Sequence, residues 1–231
     1  MMPASEAVLF TFRDNGASGT ERQSDEALDH LRTMIITMEL EPGSVINEMT
    51  LSQRLGYGRT PLREAVYRLA EEHLVVILPH RSVAVSPLSI SDLQQIFEAR
   101  TYLEGAAVRL ATERITPAQL AALEEREREI ETLAEQSEFP IFCRWAARHF
   151  EFHCLIAQAC GNDYLNDSIR RVLPASMRLD FFLYRRGAKG RDRAKNHLQT
   201  LEAMKAGDAD AAEQAMRLHI AGSKERVLRL L

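Results

Sequence analysis

Apolar residues return at intervals of three and four along Leu28, Leu31, Ile35 and Met38, the stripe that an amphipathic helix turns toward a core. The pattern predicts a helix that starts at Ser24 and stops at Glu41-Pro42-Gly43. A short second helix follows over 48–55, capped by Asn47 and closed by the Gly56-Tyr57-Gly58 turn. Thr60-Pro61 opens a third, with Thr60 as N-cap and Pro61 in the first turn, where a missing N–H costs nothing. Its inner face carries Leu62, Ala65, Val66 and Leu69. Val75-Val76-Ile77-Leu78 and Val83-Ala84-Val85 then flank the polar Pro79-His80-Arg81-Ser82. Two β-branched runs around a polar turn predict a hairpin.

After Ser86-Pro87, a linker, the strand pattern disappears. Helices are expected near 90–113, 117–135, 140–160, 163–185, 191–206 and 209–229, punctuated by Thr116-Pro117, Pro140, Gly161-Asn162, Gly187, Gly190 and Gly207-Asp208. Six amphipathic helices with short connections imply an antiparallel bundle. The chain thus reads as mainly α: a flexible arm over 1–23, a winged helix-turn-helix over 24–86, and an all-α bundle over 89–231.

Composition narrows the class. A chain of 231 residues with 45% hydrophobic and 27% charged positions is ordinary for a soluble globular protein. No apolar run approaches the ~18–20 residues that span a bilayer, and no membrane partner is expected. Residues 1–23 lack the basic and apolar succession of a secretory signal. Cys143, Cys154 and Cys160 are odd in number and form no C-x-x-C pair, which fits a reduced cytoplasm and small apolar side chains on helices. A net charge of −4 gives no global pull toward nucleic acid, so any DNA contact must be local.

The third helix supplies such a patch. Between Arg54 and Arg68 stand four arginines and one glutamate. Arg59, Arg63 and Tyr67 recur every four residues on the face opposite Leu62, Val66 and Leu69. The second helix of a helix-turn-helix lies in the major groove with its N-terminal residues at base edges. Arginine matches guanine O6 and N7, and Thr60 can take a phosphate or a base edge. His80 and Arg81, at the wing tip, are placed to reach the minor groove. A solvated basic helix is the plainer alternative, and the hairpin directly after it argues against that. The stretch from Leu51-Ser52-Gln53-Arg54-Leu55-Gly56 through Tyr57-Gly58-Arg59-Thr60-Pro61-Leu62-Arg63-Glu64-Ala65 resembles the DNA-binding signature of the GntR family of bacterial regulators. The resemblance implies that Arg59, Thr60 and Arg63 contact an operator. Tyr57 and Gly58 replace the family's small apolar residue and serine, and Ser82 stands where its wing often has glycine.

A second constellation is made of histidine. His149 and His153 are four apart on one predicted helix and so share a face. His197 and His219 sit ten residues before Gly207 and eleven after Asp208. At ~1.5 Å per residue an antiparallel hairpin brings them to one level. One helical histidine alone is an ordinary core residue; four in matched register suggest a metal. The chain from about Ser91 onward also resembles the effector domain of the FadR subfamily, nearest its VanR-like branch by helix number. Its metal-binding members carry Asp-x-x-x-His and two further histidines. His153, His197 and His219 match, and His149 stands in place of the aspartate. All-nitrogen ligation suits zinc, nickel or copper over magnesium or calcium, and zinc is the expected ion.

The resemblance further implies that Arg100, in Glu98-Ala99-Arg100, faces a cavity and pairs with an effector carboxylate; an Arg100–Glu104 surface pair is the alternative. Family effectors include sugar acids, hydroxy acids, fatty acyl groups, aromatic acids and amino acids. The expectation is a homodimeric regulator, more often a repressor in this family, that binds double-stranded operator DNA under control of a small carboxylate. One alternative makes the ion itself the signal. Another is a metallohydrolase with a vestigial DNA-binding module. Against the hydrolase, Glu151 lies about 200° around the helix from His149, away from a shared metal.

Overall fold

The computed structural model describes residues 19–79, 82–134, 136, 138–187 and 197–229. They divide after Ser89 into two compact units.

In the first unit α1 (Gly19–Ile36) buries Leu28, Leu31, Met34 and Ile35 against α3 (Arg59–Glu71), which presents Leu62, Ala65, Val66 and Leu69. The helix begins at Gly19, inside the expected flexible arm. No proline or glycine interrupts Thr20-Glu21-Arg22-Gln23, and the good helix formers Glu21, Arg22 and Gln23 extend the helix backward from Ser24. It also ends before Met38, which is buried in the left-handed region at φ 60°.

Helix α2 (Glu48–Leu55) starts as expected: the Asn47 side chain accepts from the Thr50 N–H at 3.0 Å, and Gly56 closes the helix at φ 75°. For α3 the cap differs from the expectation. Gly58, extended at φ −64° and ψ 164°, holds the N-cap position without a side-chain bond, which leaves Thr60 inside the first turn. The extended glycine brings its carbonyl to the Leu62 N–H at 3.3 Å, so helical bonding starts before Thr60. Pro61 still needs no donor partner there.

The sheet gains a strand that the sequence pattern did not show. β1 (Val45–Ile46), β2 (Val75–Ile77) and β3 (Val83–Val85) pair antiparallel in the order β1-β3-β2. The Leu78 N–H donates to the Ser82 carbonyl at 2.7 Å and closes the wing. His80 and Arg81 lie outside the described residues.

The second unit is helical throughout among the described residues: α4 (Ile90–Arg114), α5 (Pro117–Ala134), α6 (Phe139–Ala159), α7 (Asp163–Arg185), α8 (His197–Lys205) and α9 (Ala209–Leu228). The expected beginning of the fifth bundle helix, 191–196, lies outside them. Local chemistry fixes the boundaries. Thr116 and Gln119 form a reciprocal capping box, and Asn162 and Asp208 cap α7 and α9 through the Leu165 and Ala211 N–H groups. Helix α4 packs on α9, α7 and α6, while α5 lies on α6 and α8 lies on α9. Phe142, Trp145, Phe152 and Phe181 fill the interior, and Cys143, Cys154 and Cys160 are free thiols buried in it.

Arg32 locks α1 to the end of α3. Its Nε and Nη2 donate to both Glu72 oxygens at 2.8 and 2.6 Å, and Nη1 donates to Asp29 at 2.7 Å. Removing one member of such a buried network strands the others. Arg32→Met is expected to cost about 3 kcal/mol, read as a lowered urea midpoint at unchanged slope, with Arg32→Lys recovering only part. An unchanged midpoint would show that packing alone holds α1 on α3.

Candidate DNA-reading surface and metal centre

On the first unit, Arg59, Thr60, Arg63 and Tyr67 are all exposed on α3, opposite its buried Leu62, Val66 and Leu69. The four arginines of the patch divide by charge partner. Arg54 pairs with Glu39, and Arg68 pairs with Asp25. Among the described residues no carboxylate pairs with Arg59 or Arg63. The uncompensated charge therefore falls on the N-terminal half of the helix, where a recognition helix meets base edges. Tyr57, one of the residues that depart from the family pattern, is half-buried with its hydroxyl 2.6 Å from His30 Nδ1 on α1. The Ser52 hydroxyl donates to the Tyr57 carbonyl at 2.6 Å. The turn is thus tied to both helices that precede it.

In the second unit the i, i+4 pair on α6 and the α8–α9 hairpin bring the four histidines together. His149, His153, His197 and His219 are all buried, and their ligand atoms lie within 4.8 Å of one another. Nε2 of His153 is 3.3 Å from Nε2 of His149, and Nε2 of His197 is 3.2 Å from Nε2 of His219. Aromatic rings wall the cluster: Trp145 stacks on His149 at 4.9 Å between centroids, and Phe152 stacks on His197 at 4.3 Å.

The surroundings disfavour the charged form of His149, His153 and His219. Burial, and then the neighbouring His197 and His153, push His149 and His219 well below the ordinary histidine range. Burial takes His153 down to about 4 against the opposing pull of Glu104. Neutral imidazole is the form that binds a metal. Four imidazoles with ligand nitrogens this close together fit a cation, and Asp180 Oδ2 stands 4.0 Å from His149 Nδ1. A tetrahedral ion with ~2.05 Å bonds to nitrogen has edges of about 3.3 Å, the separation within each of the two pairs. The widest pair has to draw in around an ion.

Two buried glutamates behind the rings were not singled out as site residues from sequence. Glu104 Oε2 lies 2.5 Å from His153 Nδ1, and Glu127 Oε2 lies 3.1 Å from His197 Nδ1. Each had a signal. Glu104 falls in the apolar phase of α4 with Phe97, Val108 and Ala111, and Glu127 in that of α5 with Leu123, Ile130 and Ala134. Burial pushes the Glu104 carboxyl up, but Arg100 and then His153 outweigh it and hold it down at about 2.

Arg100 is itself buried, so its i, i+4 pair with Glu104 is internal rather than superficial. Nε donates to Glu104 Oε1 at 2.6 Å and Nη1 to the Ser176 hydroxyl at 2.6 Å. Its Nη2 is buried with no hydrogen-bond partner among the described residues. Glu151, the base that a hydrolase would need, instead pairs with Arg126 and Arg148.

Comparison with known proteins agrees with this division. Residues 23–85 match the family described as bacterial regulatory proteins, gntR family, and residues 95–222 match the FCD domain. The HTH-type transcriptional repressor GlaR of Escherichia coli (strain K12) is 28% identical over 195 residues, covering 82% of this chain and 89% of the relative. The HTH-type transcriptional repressor RspR of the same strain is 27% identical over 197 residues, covering 85% of each. The solved E. coli McbR/YncC superposes with a TM-score of 0.78 at 22% identity over 90% of this chain and 97% of that one, a likeness of fold. The chain belongs to the GntR family and is a DNA-binding transcriptional regulator with an FCD domain, not an enzyme.

Proposed function

We propose that the chain is a cytoplasmic repressor that binds a two-fold symmetric operator as a homodimer. A small carboxylate effector, held beside a divalent metal ion in the second unit, controls its operator affinity. The observation that carries this reading is the buried four-imidazole cluster with Arg100 near it, one guanidinium nitrogen of which has no partner among the described residues. A guanidinium and an open metal position are complementary to a carboxylate. His149, His153, His197 and His219 would hold the ion. Zinc suits an all-nitrogen set without redox demand, with nickel as the next choice. The names of GlaR and RspR favour repression. Arg59, Thr60, Arg63 and Tyr67, together with His80 and Arg81, read the DNA. Effector control requires that the ligand bind one arrangement of the two DNA-reading heads more tightly than another. A second reading, in which the ion is the signal, is favoured by the fact that four imidazoles are enough to close a tetrahedral site.

Arg63→Ala should weaken operator binding by about 1–3 kcal/mol and scrambled DNA much less, if Arg63 makes a bidentate base contact. Titrations of both duplexes at one salt concentration measure this; equal losses would make it a phosphate contact, and no loss would remove it from the interface.

One short recognition helix reads too few base pairs alone, so the protein should sediment as a dimer and protect a symmetric site. A monomer at micromolar concentration, with or without operator, contradicts this.

Purified protein never exposed to chelator should carry one zinc per chain. On the effector reading, calorimetry with a panel of carboxylic acids should detect an acid whose affinity falls both on stripping the metal and in Arg100→Ala. If stripping lowers the melting temperature and releases operator while no acid binds, the ion is the signal. Absence of bound metal together with an unaltered His197→Ala protein removes the site.

A further inference from the structure

Two carboxylates behind the histidine cluster have no place in the family pattern read from the sequence, and both are almost wholly buried. Glu127 reaches His197 from α5 in a 3.1 Å hydrogen bond to Nδ1, and Glu104 comes from α4 to 2.5 Å from His153 Nδ1 in a close ion-pair contact that lies outside hydrogen-bond geometry. In each case the carboxylate meets Nδ1, while Nε2 of the same ring turns toward the other histidines. A carboxylate only accepts hydrogen bonds. An imidazole held against one carries its proton on Nδ1, which leaves the Nε2 lone pair directed into the cluster. The two contacts are distributed evenly: His153 belongs to the α6 pair and His197 to the α8–α9 pair, so each facing pair contains one ring with a fixed tautomer.

The two glutamates differ in what stands behind them. Glu104 divides its oxygens between His153 and Arg100, and Arg100 also donates to Ser176 on α7. A chain of polar contacts therefore runs from α7 through α4 to the α6 histidine. Arg100 holds Glu104 through Oε1, which leaves Oε2 turned toward His153 Nδ1. Two guanidinium nitrogens are committed to this chain, and Nη2 remains outside it.

The structure assigns to Glu104 and Glu127 the role of positioning residues that set His153 and His197 as Nδ1–H tautomers with Nε2 presented for metal binding. The assignment rests on the metal-centre reading above for its consequence, but the tautomers themselves belong to the metal-free protein. Outer carboxylates of this kind typically change metal affinity by about 10–100-fold.

The test uses the full-length chain. Nitrogen-15 spectra of the histidine rings in zinc-stripped protein, assigned with His153→Gln and His197→Gln, should show both rings protonated at Nδ1. Chelator competition should then show zinc affinity falling at least tenfold in Glu104→Gln and in Glu127→Gln, with the affected ring losing its fixed tautomer while helical circular dichroism stays unchanged. Should Glu104→Gln fail to fold, Glu127→Gln and the wild-type spectrum decide. Nε2-protonated His153 and His197 in the wild type, or wild-type zinc affinity in Glu127→Gln, overturn the assignment. Wild-type protein that binds no zinc but shows both Nδ1–H tautomers overturns the metal reading and leaves the positioning role standing.

Discussion

Burying ionisable groups is the constraint around which the second unit is built. Four histidines, two glutamates and Arg100 gather in its interior beside Phe142, Trp145 and Phe152, and Arg178 is buried there as well. An isolated charge there would be strongly disfavoured. The bundle meets this by pairing: Glu104 lies between Arg100 and His153, Glu127 lies against His197, and the remaining imidazoles stay neutral. The groups come from α4, α5, α6, α8 and α9, and Ser176 of α7 joins them through Arg100. The helices that close the core therefore also define the site. A distortion of one helix alters several polar partners together, which gives a binding event at the centre a mechanical hold on the whole unit.

Such a core is a poor investment if stability is its only purpose, because apolar residues of the same volume often serve as well or better. The cost is reasonable where a ligand offsets it. A divalent ion among facing nitrogens replaces lone-pair repulsion with coordination, and ligand-directing carboxylates raise the basicity of the rings that they hold. The proposed function and the polar core thus account for each other.

The sequence made the histidine cluster legible because it obeys helix arithmetic. An i, i+4 pair shares a face, and matched distances on either side of Gly207-Asp208 bring His197 and His219 to one level. The helices of the bundle were legible from capping residues for the same local reason, and α7 continues through Pro174 because one lost hydrogen bond does not outweigh its long apolar face. Glu127 stayed hidden in the run Glu124-Glu125-Arg126-Glu127-Arg128-Glu129, where residue type says surface and only the phase of Leu123 and Ile130 says core. β1 was hidden because two residues carry no periodicity. The α3 cap was misplaced because Thr60 has the right chemistry for a cap, whereas backbone conformation gave the position to Gly58.

Charge placement completes the physical account of the DNA-binding unit. The chain is acidic overall, and Glu39 and Asp25 neutralise Arg54 and Arg68, at either end of the patch. Non-specific affinity for DNA grows with the number of phosphates that a protein neutralises. If Arg59 and Arg63 contact bases, as proposed, few uncompensated cations among the described residues of the recognition helix would mean weak sequence-independent binding by one unit and a larger share of affinity from those contacts. On the dimeric reading, occupancy of an operator then depends steeply on whether two heads engage together, since the second contact is made at high effective concentration only when the geometry permits it. A ligand that changes the balance between head arrangements by a modest free energy can thereby change operator occupancy substantially, and a more basic recognition unit would blunt that response.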